Sequence, residues 1–456
     1  MSTGADSPAA EPAEKAIGLG RSVAFNVFGQ AASLLIGFAS TILLARGLGP
    51  SDRGLLALIV YLCELAVAVA GLGLPYAVVY YASRPKAPRG ALLGNSLAFG
   101  AILTAVFVPL FWLLRNPIAD AFSHSSGAST WAWAGLLVPL SFLDWATHNQ
   151  LFGKLRFGLL NLLITFARLM ALATIVGLVT IVGLGVAGGL ISVMVAAGVM
   201  IVGSLAVILP SDRPRIDLSL FRRMASYGAR VQAGWIFQIL NYRIDVLVVQ
   251  FFYPLANVGY YVVAQIVAEL SLTVASAFQT SVNALIPHHE GADAEQTRTT
   301  IASIRHQTIL TAASVVGTAA LGPLVILYAY GSAFRPALTP MLILLPGMLF
   351  LGAGVVVTGN LRGRGRPGLS STLAGLTAIV TLILDLALIP PFGITGAAIA
   401  SVIAYAFYGT ASLVTLARLG GIPIRTLALP TRAEFSMYVS IYRRGIEWLR
   451  ARTARR

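Results

Sequence analysis

Long apolar runs, each broken by a short stretch of arginines, dominate this chain of 456 residues and restrict what it can become. A helix crossing the hydrocarbon core of a bilayer needs about 20 apolar residues, whereas a barrel strand needs about 10. The runs here have helix length. Lipid offers the backbone no hydrogen bonds, so a spanning segment must satisfy its own N–H and C=O groups, as a helix does. Only 11% of the residues are charged, and 57% are hydrophobic. A soluble fold of this size lacks the polar surface to cover so much apolar material. The expected fold class is therefore all-α integral membrane, with about twelve transmembrane helices.

The spans are predicted near 22–46, 54–81, 91–114, 131–152, 158–181, 184–209, 228–252, 257–286, 304–329, 337–360, 369–389 and 394–418. Basic residues set their orientation, because cytoplasmic loops retain Lys and Arg. Arg84, Lys86 and Arg89 follow the second span, and Lys154 and Arg156 the fourth. Arg213, Arg215, Arg222 and Arg223 follow the sixth, Arg298 and Arg305 the eighth, and Arg362, Arg364 and Arg366 the tenth. The opposite side has Arg46, Arg53, Arg115 and Arg335. Both termini are thus expected in the cytoplasm of a bacterial inner membrane. The net charge of +15 reads as topology rather than as nucleic-acid binding.

Five regions are expected: a disordered cytoplasmic tail over 1–20, a six-helix lobe over 21–210, a basic linker over 211–227, a second six-helix lobe over 228–419, and a basic tail over 420–456. The last carries Tyr438, Ile441, Tyr442, Ile446 and Leu449 near helical spacing among its arginines. It suits an amphipathic helix on the anionic inner leaflet. Topological retention charge and a dock for a cytoplasmic partner are the other readings. Cys63, the only cysteine, excludes an internal disulfide, and no metal or cofactor is expected.

Two stretches align at nearly one offset, as in an internal repeat. Gly54 and Glu64 fall on Gly259 and Glu269; Gly185-Val186-Ala187-Gly188-Gly189 falls on Gly393-Ile394-Thr395-Gly396-Ala397. An even number of spans per repeat gives both halves one orientation, hence a parallel repeat. Two such lobes facing each other enclose a central cleft.

The segment Ile42-Leu43-Leu44-Ala45-Arg46-Gly47-Leu48-Gly49-Pro50, followed by Gly54, resembles the end of the first span in polysaccharide exporters. Tyr242-Arg243-Ile244-Asp245 through Val258-Gly259-Tyr260-Tyr261 resembles their seventh and eighth spans, and Gly393-Ile394-Thr395-Gly396-Ala397-Ala398 the entry to their last. These exporters, with the Wzx-type O-antigen flippases, form a branch of the multidrug/oligosaccharidyl-lipid/polysaccharide (MOP) flippase superfamily. The resemblance spans about 20–420 and implies a MATE-like pair of lobes. It also implies a flippase that carries a polyprenyl-pyrophosphate-linked oligosaccharide to the outer leaflet by alternating access, without enzymatic chemistry. A cation-coupled multidrug antiporter and a membrane glycan polymerase or ligase are the alternatives. The first span has no Asp or Glu over 22–46, against the antiporter. No outer loop is large enough for a glycan enzyme. Glycan-assembly proteins are candidate partners.

Charges inside spans cost roughly 2.5–3.5 kcal/mol or more at the bilayer centre, so those retained need a cleft or a partner. They are Glu64, Asp144, Arg168, Arg243, Asp245, Glu269 and Asp385. Arg46 and Arg230 lie near span ends. Asp144 and Arg168 sit at similar depth and fit either an ion pair or, for Arg168, a cleft cation. In the seventh span Gln232, Trp235, Gln238, Tyr242 and Asp245 share an arc of roughly 140°, with Arg243 at its edge. Amides and rings suit sugar, and guanidinium suits pyrophosphate; helix packing is the other reading. Pyrophosphate contacts are therefore expected at Arg243, Arg168, Arg46 and Arg230, and sugar contacts at Gln232, Trp235, Gln238 and Tyr242. Glu64, Glu269, Asp144 and Asp245 are expected as coupling or structural carboxylates.

Overall fold

The computed structural model describes residues 10–84, 87–122, 128–153, 157–283, 293–364, 366–428 and 431. Eight helices among them are long and apolar enough to cross a membrane. Two of the eight are double. Helix α1 (Ala10–Ala70) kinks at Gly49, and α11 (Pro367–Gly420) kinks at Gly393. Each therefore covers two of the expected spans. Helix α4 (Ala128–Gly153) and helix α7 (Leu218–Phe252), the remaining two expected spans, are 26 and 35 residues long. Their polar residues keep them outside the eight.

Helix α1 begins at Ala10, so the second half of the expected N-terminal tail is helical. The basic tail beyond residue 431 lies outside the described residues, as do Lys86, Lys154 and Arg156.

The chain divides into two compact units, Met1–Ile236 and Phe237–Arg456. In unit 1, α1 packs on α4, α5 (Phe157–Thr174) and α6 (Gly185–Ile208). Helix α2 (Leu74–Ala82) and helix α3 (Arg89–Phe122) both pack on α4. Leu93, Leu151, Leu160, Ala167, Met200 and Ile208 form a buried core between α3, α4, α5 and α6.

In unit 2, α8 (Leu255–Asn283), α9 (Asp293–Leu324) and α10 (Leu338–Gly363) pack on one another, and α10 packs on α11. The short helix α12 (Ile424–Ala428) is tied to α9, because Arg305 donates two hydrogen bonds to the Thr426 carbonyl at 2.9 and 2.6 Å.

The repeat is visible in the backbone. Gly185, which opens α6, has φ of 55°, and Gly393, at the kink in α11, has φ of 57°. A side chain at either position meets the left-handed penalty that glycine escapes. The two glycines that align in sequence thus share a positive φ before the last helix of each half.

Residues 211–227, expected as a linker, are packed into unit 1. The Arg215 N–H donates to the Gly90 carbonyl at 3.0 Å. Asn95 bonds both backbone groups of Asp217, at 2.9 and 3.0 Å. The boundary between the units falls instead inside α7, between Ile236 and Phe237.

Asp217 caps α7, a position where a short acceptor meets unpaired N–H groups. The Leu220 N–H and the Ser219 hydroxyl donate to its Oδ1 at 2.9 and 2.8 Å. These bonds hold its carboxyl below the ordinary carboxylate range. A group lowered by folding stabilises the fold above its unfolded value, and the contribution is lost as pH falls through the folded value. Melting curves should therefore show wild type losing its advantage over Asp217→Asn as the pH drops below about 4. A constant gap from pH 7 to pH 3 would contradict the cap.

Candidate functional site

Unit 2 holds a buried polar cluster around Asp245, which is 1% exposed. The Tyr261 hydroxyl and the Gln265 amide, one turn apart on α8, donate to its Oδ2 at 2.6 and 2.8 Å. Ser401 of α11 adds a third bond at 3.3 Å and also meets the Tyr261 hydroxyl at 3.0 Å. The Val246 N–H donates to Oδ1 at 2.7 Å. Such a shell is what a buried carboxylate needs to remain charged.

Asp385 on α11 is different. It is fully buried, and among the described residues neither carboxyl oxygen has a hydrogen-bond partner. It nevertheless lies within electrostatic range of Asp245. Thr377, Thr381 and Asp385 recur every fourth residue and are all buried, so they form one polar stripe on α11. Asn241 of α7 meets that stripe, accepting from Thr381 at 3.3 Å and donating to the Ala374 carbonyl at 2.9 Å.

Arg243 pairs with Glu269 across α7 and α8 at 3.8 Å, with the two side chains 26% and 37% exposed. The pair is loose and partly open. Gln238 lies beside the Tyr242 hydroxyl. Tyr405 of α11 lies within electrostatic range of four of the sequence-predicted residues, Asp245, Glu269, Tyr242 and Arg243.

The rest of the predicted set lies in unit 1. Gln232 is buried and donates to the Ala68 carbonyl. Trp235 meets Tyr76 and Trp145 edge-on or tilted, with centroids 6.1 and 5.4 Å apart. Of the stripe read along α7, Gln232 and Trp235 thus belong to unit 1, and Gln238, Tyr242 and Asp245 to unit 2.

Arg168 does not pair with Asp144. Its Nη1 donates to the Ser33 carbonyl at 2.6 Å and lies against Gly37 of α1, while Asp144 Oδ1 is buried without a partner. Similar depth was not enough, because the two side chains leave their helices toward different neighbours. Arg46, Arg230 and Glu64 are exposed. Arg230 Nε donates to the Ser226 carbonyl at 3.1 Å.

Tyr261, Gln265 and Ser401 were not singled out from the sequence. The signal was there for two of them: Tyr261, Gln265 and Glu269 recur every fourth residue on α8. Ser401 gives no such signal, since its partners come from distant helices.

Among solved structures the fold is similar to a lipid II flippase MurJ in an inward closed conformation. The TM-score is 0.69 at 15% identity, covering 91% of this chain and 92% of that one. It is also similar to an inward-facing MATE multidrug transporter of the MOP superfamily, with a TM-score of 0.63 at 12% identity, covering 85% and 96%. The MATE multidrug transporter DinF-BH gives 0.62 at 16% identity, covering 90% and 96%. No curated protein matches in sequence. Residues 43–339 match the family described as polysaccharide biosynthesis protein. This multi-pass membrane chain therefore belongs to the polysaccharide biosynthesis protein family.

Proposed function

We propose that the protein flips a polyprenyl-pyrophosphate-linked oligosaccharide from the cytoplasmic to the outer leaflet of a bacterial inner membrane, by alternating access. Family membership supports the glycan, and the polar face of α7 carries the reading. A helix that presents Gln232, Trp235, Gln238, Tyr242, Arg243 and Asp245 within the span expected over 228–252 has no use for that face against lipid. Arg243 is the chief pyrophosphate contact. Its ion pair with Glu269 is long and half-open, so its donors can turn to a phosphate in paired geometry. Arg168, Arg46 and Arg230 are secondary cations, and Arg168 has four further donors beside the one spent on Ser33.

Coupling rests on the two buried carboxyls of unit 2. Asp245 has a full set of donors and Asp385 has none. Two neighbouring buried carboxyls cannot both stay charged without a proton or a cation between them. Loading and release of that proton or monovalent cation drives the cycle. Glu269 opposes Arg243 when substrate is absent.

Arg243→Ala in cells is expected to reduce surface glycan at least about tenfold, the effect of losing one charge-assisted phosphate contact. Protein level in the membrane should stay near wild type. Full surface glycan at normal protein level would overturn the assignment of Arg243.

A further inference from the structure

Six of the aromatic rings in unit 1 form two groups, most of them unused by the reading above. Tyr76 and Tyr80 are four residues apart on α2, so they share a face, and Arg84 follows the end of that helix. Tyr227 and Trp235 are eight apart on α7 and share a face in the same way.

In the outer group Tyr80 stacks on Tyr227, with centroids 4.2 Å apart and planes 17° from parallel. Tyr81 stands edge-on to both, at 5.1 and 6.3 Å. The Arg84 guanidinium lies 4.2 Å over the Tyr80 ring and also donates to the Tyr80 hydroxyl. Tyr80 thus has both Tyr227 and Arg84 against it, yet it is still 36% exposed.

In the inner group Tyr76, Trp145 and Trp235 come from three helices and meet with centroids 5.0 to 6.1 Å apart. None of the three is buried. Two buried acceptor oxygens without donors stand next to this trio in the chain: Asp144 Oδ1, one residue before Trp145, and Gln232 Oε1, three before Trp235. Sugar hydroxyls are donors.

We propose that these rings form a saccharide track in unit 1, with Arg84 at its outer end as the phosphate contact on entry, ahead of Arg243. The proposal rests on the flippase reading and adds how the glycan is held. An incoming pyrophosphate draws Arg84 off Tyr80, because paired charge-assisted bonds outweigh a cation–π contact. The freed face of Tyr80 then takes the apolar C–H face of the first pyranose, and the inner trio takes the next. Aromatic faces discriminate weakly among hexoses. The ligand class is thus a pyrophosphate-linked chain of neutral pyranoses, with at least two sugars engaged.

The test uses full-length protein in nanodiscs and two probes, farnesyl pyrophosphate and the same lipid carrying chitobiose. For wild type the disaccharide is expected to tighten binding about tenfold, in line with ring stacking of this kind. Trp145→Leu/Trp235→Leu should lose that gain and keep its affinity for farnesyl pyrophosphate. Arg84→Gln should weaken both probes by a similar factor. If the double variant is not monodisperse, Tyr76→Leu reports on the same trio. Equal gain in wild type and ring variants would overturn the track and leave the rings as packing or as an interfacial belt. So would the absence of any gain in wild type that still binds farnesyl pyrophosphate. Failure of wild type to bind either lipid would instead strike the flippase reading.

Discussion

Asp385→Asn is expected to raise the melting temperature of the purified protein while abolishing glycan export in cells. The stability gain comes from removing a buried acid with no hydrogen bond to either oxygen. A buried polar group left unpaired costs about 1–3 kcal/mol, more when charged. For a unit of this size each kcal/mol moves the melting temperature by about 2–4 °C. Asn keeps the shape and cannot carry charge, so the part of that cost due to charge is removed while the amide stays unpaired. Export fails because Asp245 then faces a neutral neighbour and no longer shares a proton or cation with it. A structural carboxyl would behave otherwise: its loss would leave export intact. Unchanged melting together with full export would sink the coupling role of the pair. Tyr261→Phe is a useful contrast, since it removes a donor from Asp245 and is expected to destabilise.

Gly228→Val is expected to leave almost no folded protein. Gly228 of α7 meets the backbone of Leu72 and Gly73, where the chain turns before α2. A Cβ on Gly228 would run into the Leu72 carbonyl and the Gly73 backbone, and a Cβ on Gly73 would run into the Gly228 carbonyl. Neither obstacle is the end of a flexible side chain. The turn cannot easily shift either, because Leu72 and Gly73 both hold positive φ, 51° and 62°. Overpacking that forces two backbones apart belongs to the largest class of point-mutant effects, above about 4 kcal/mol. The measure is the monodisperse fraction on size-exclusion chromatography in detergent. Gly198→Ala on α6, where nothing lies within 4 Å of the added carbon, serves as the tolerated control. A monodisperse Gly228→Val protein would show that α2 and α7 can separate.

The sequence by itself determined the helices, their membrane length, and the glycines that repeat between halves. Apolar content and period are local properties, so α3 and α10 could be read from their own residues. Gly185 and Gly393 align in sequence, and both hold a positive φ that glycine adopts at little cost. The polar face of α7 was legible for the same reason: residues on one helix face are fixed by about 100° per residue.

Partner choice was decided only by the tertiary structure. Asp245 is satisfied by Ser401, 156 residues away, and no local pattern marks that bond. Arg168 and Asp144 have matching depth but separate partners, since depth is one coordinate and contact needs three. The division of the chain inside α7, rather than at the basic segment before it, follows from Asn95 and Gly90 gripping residues 215–217. A charged segment looks like a linker until something buried holds its backbone. The aromatic groups of unit 1 assemble from α2, α4 and α7 in the same way. Each ring is ordinary in its own helix, and only the packing of three helices brings the inner trio within 5.0 to 6.1 Å of one another.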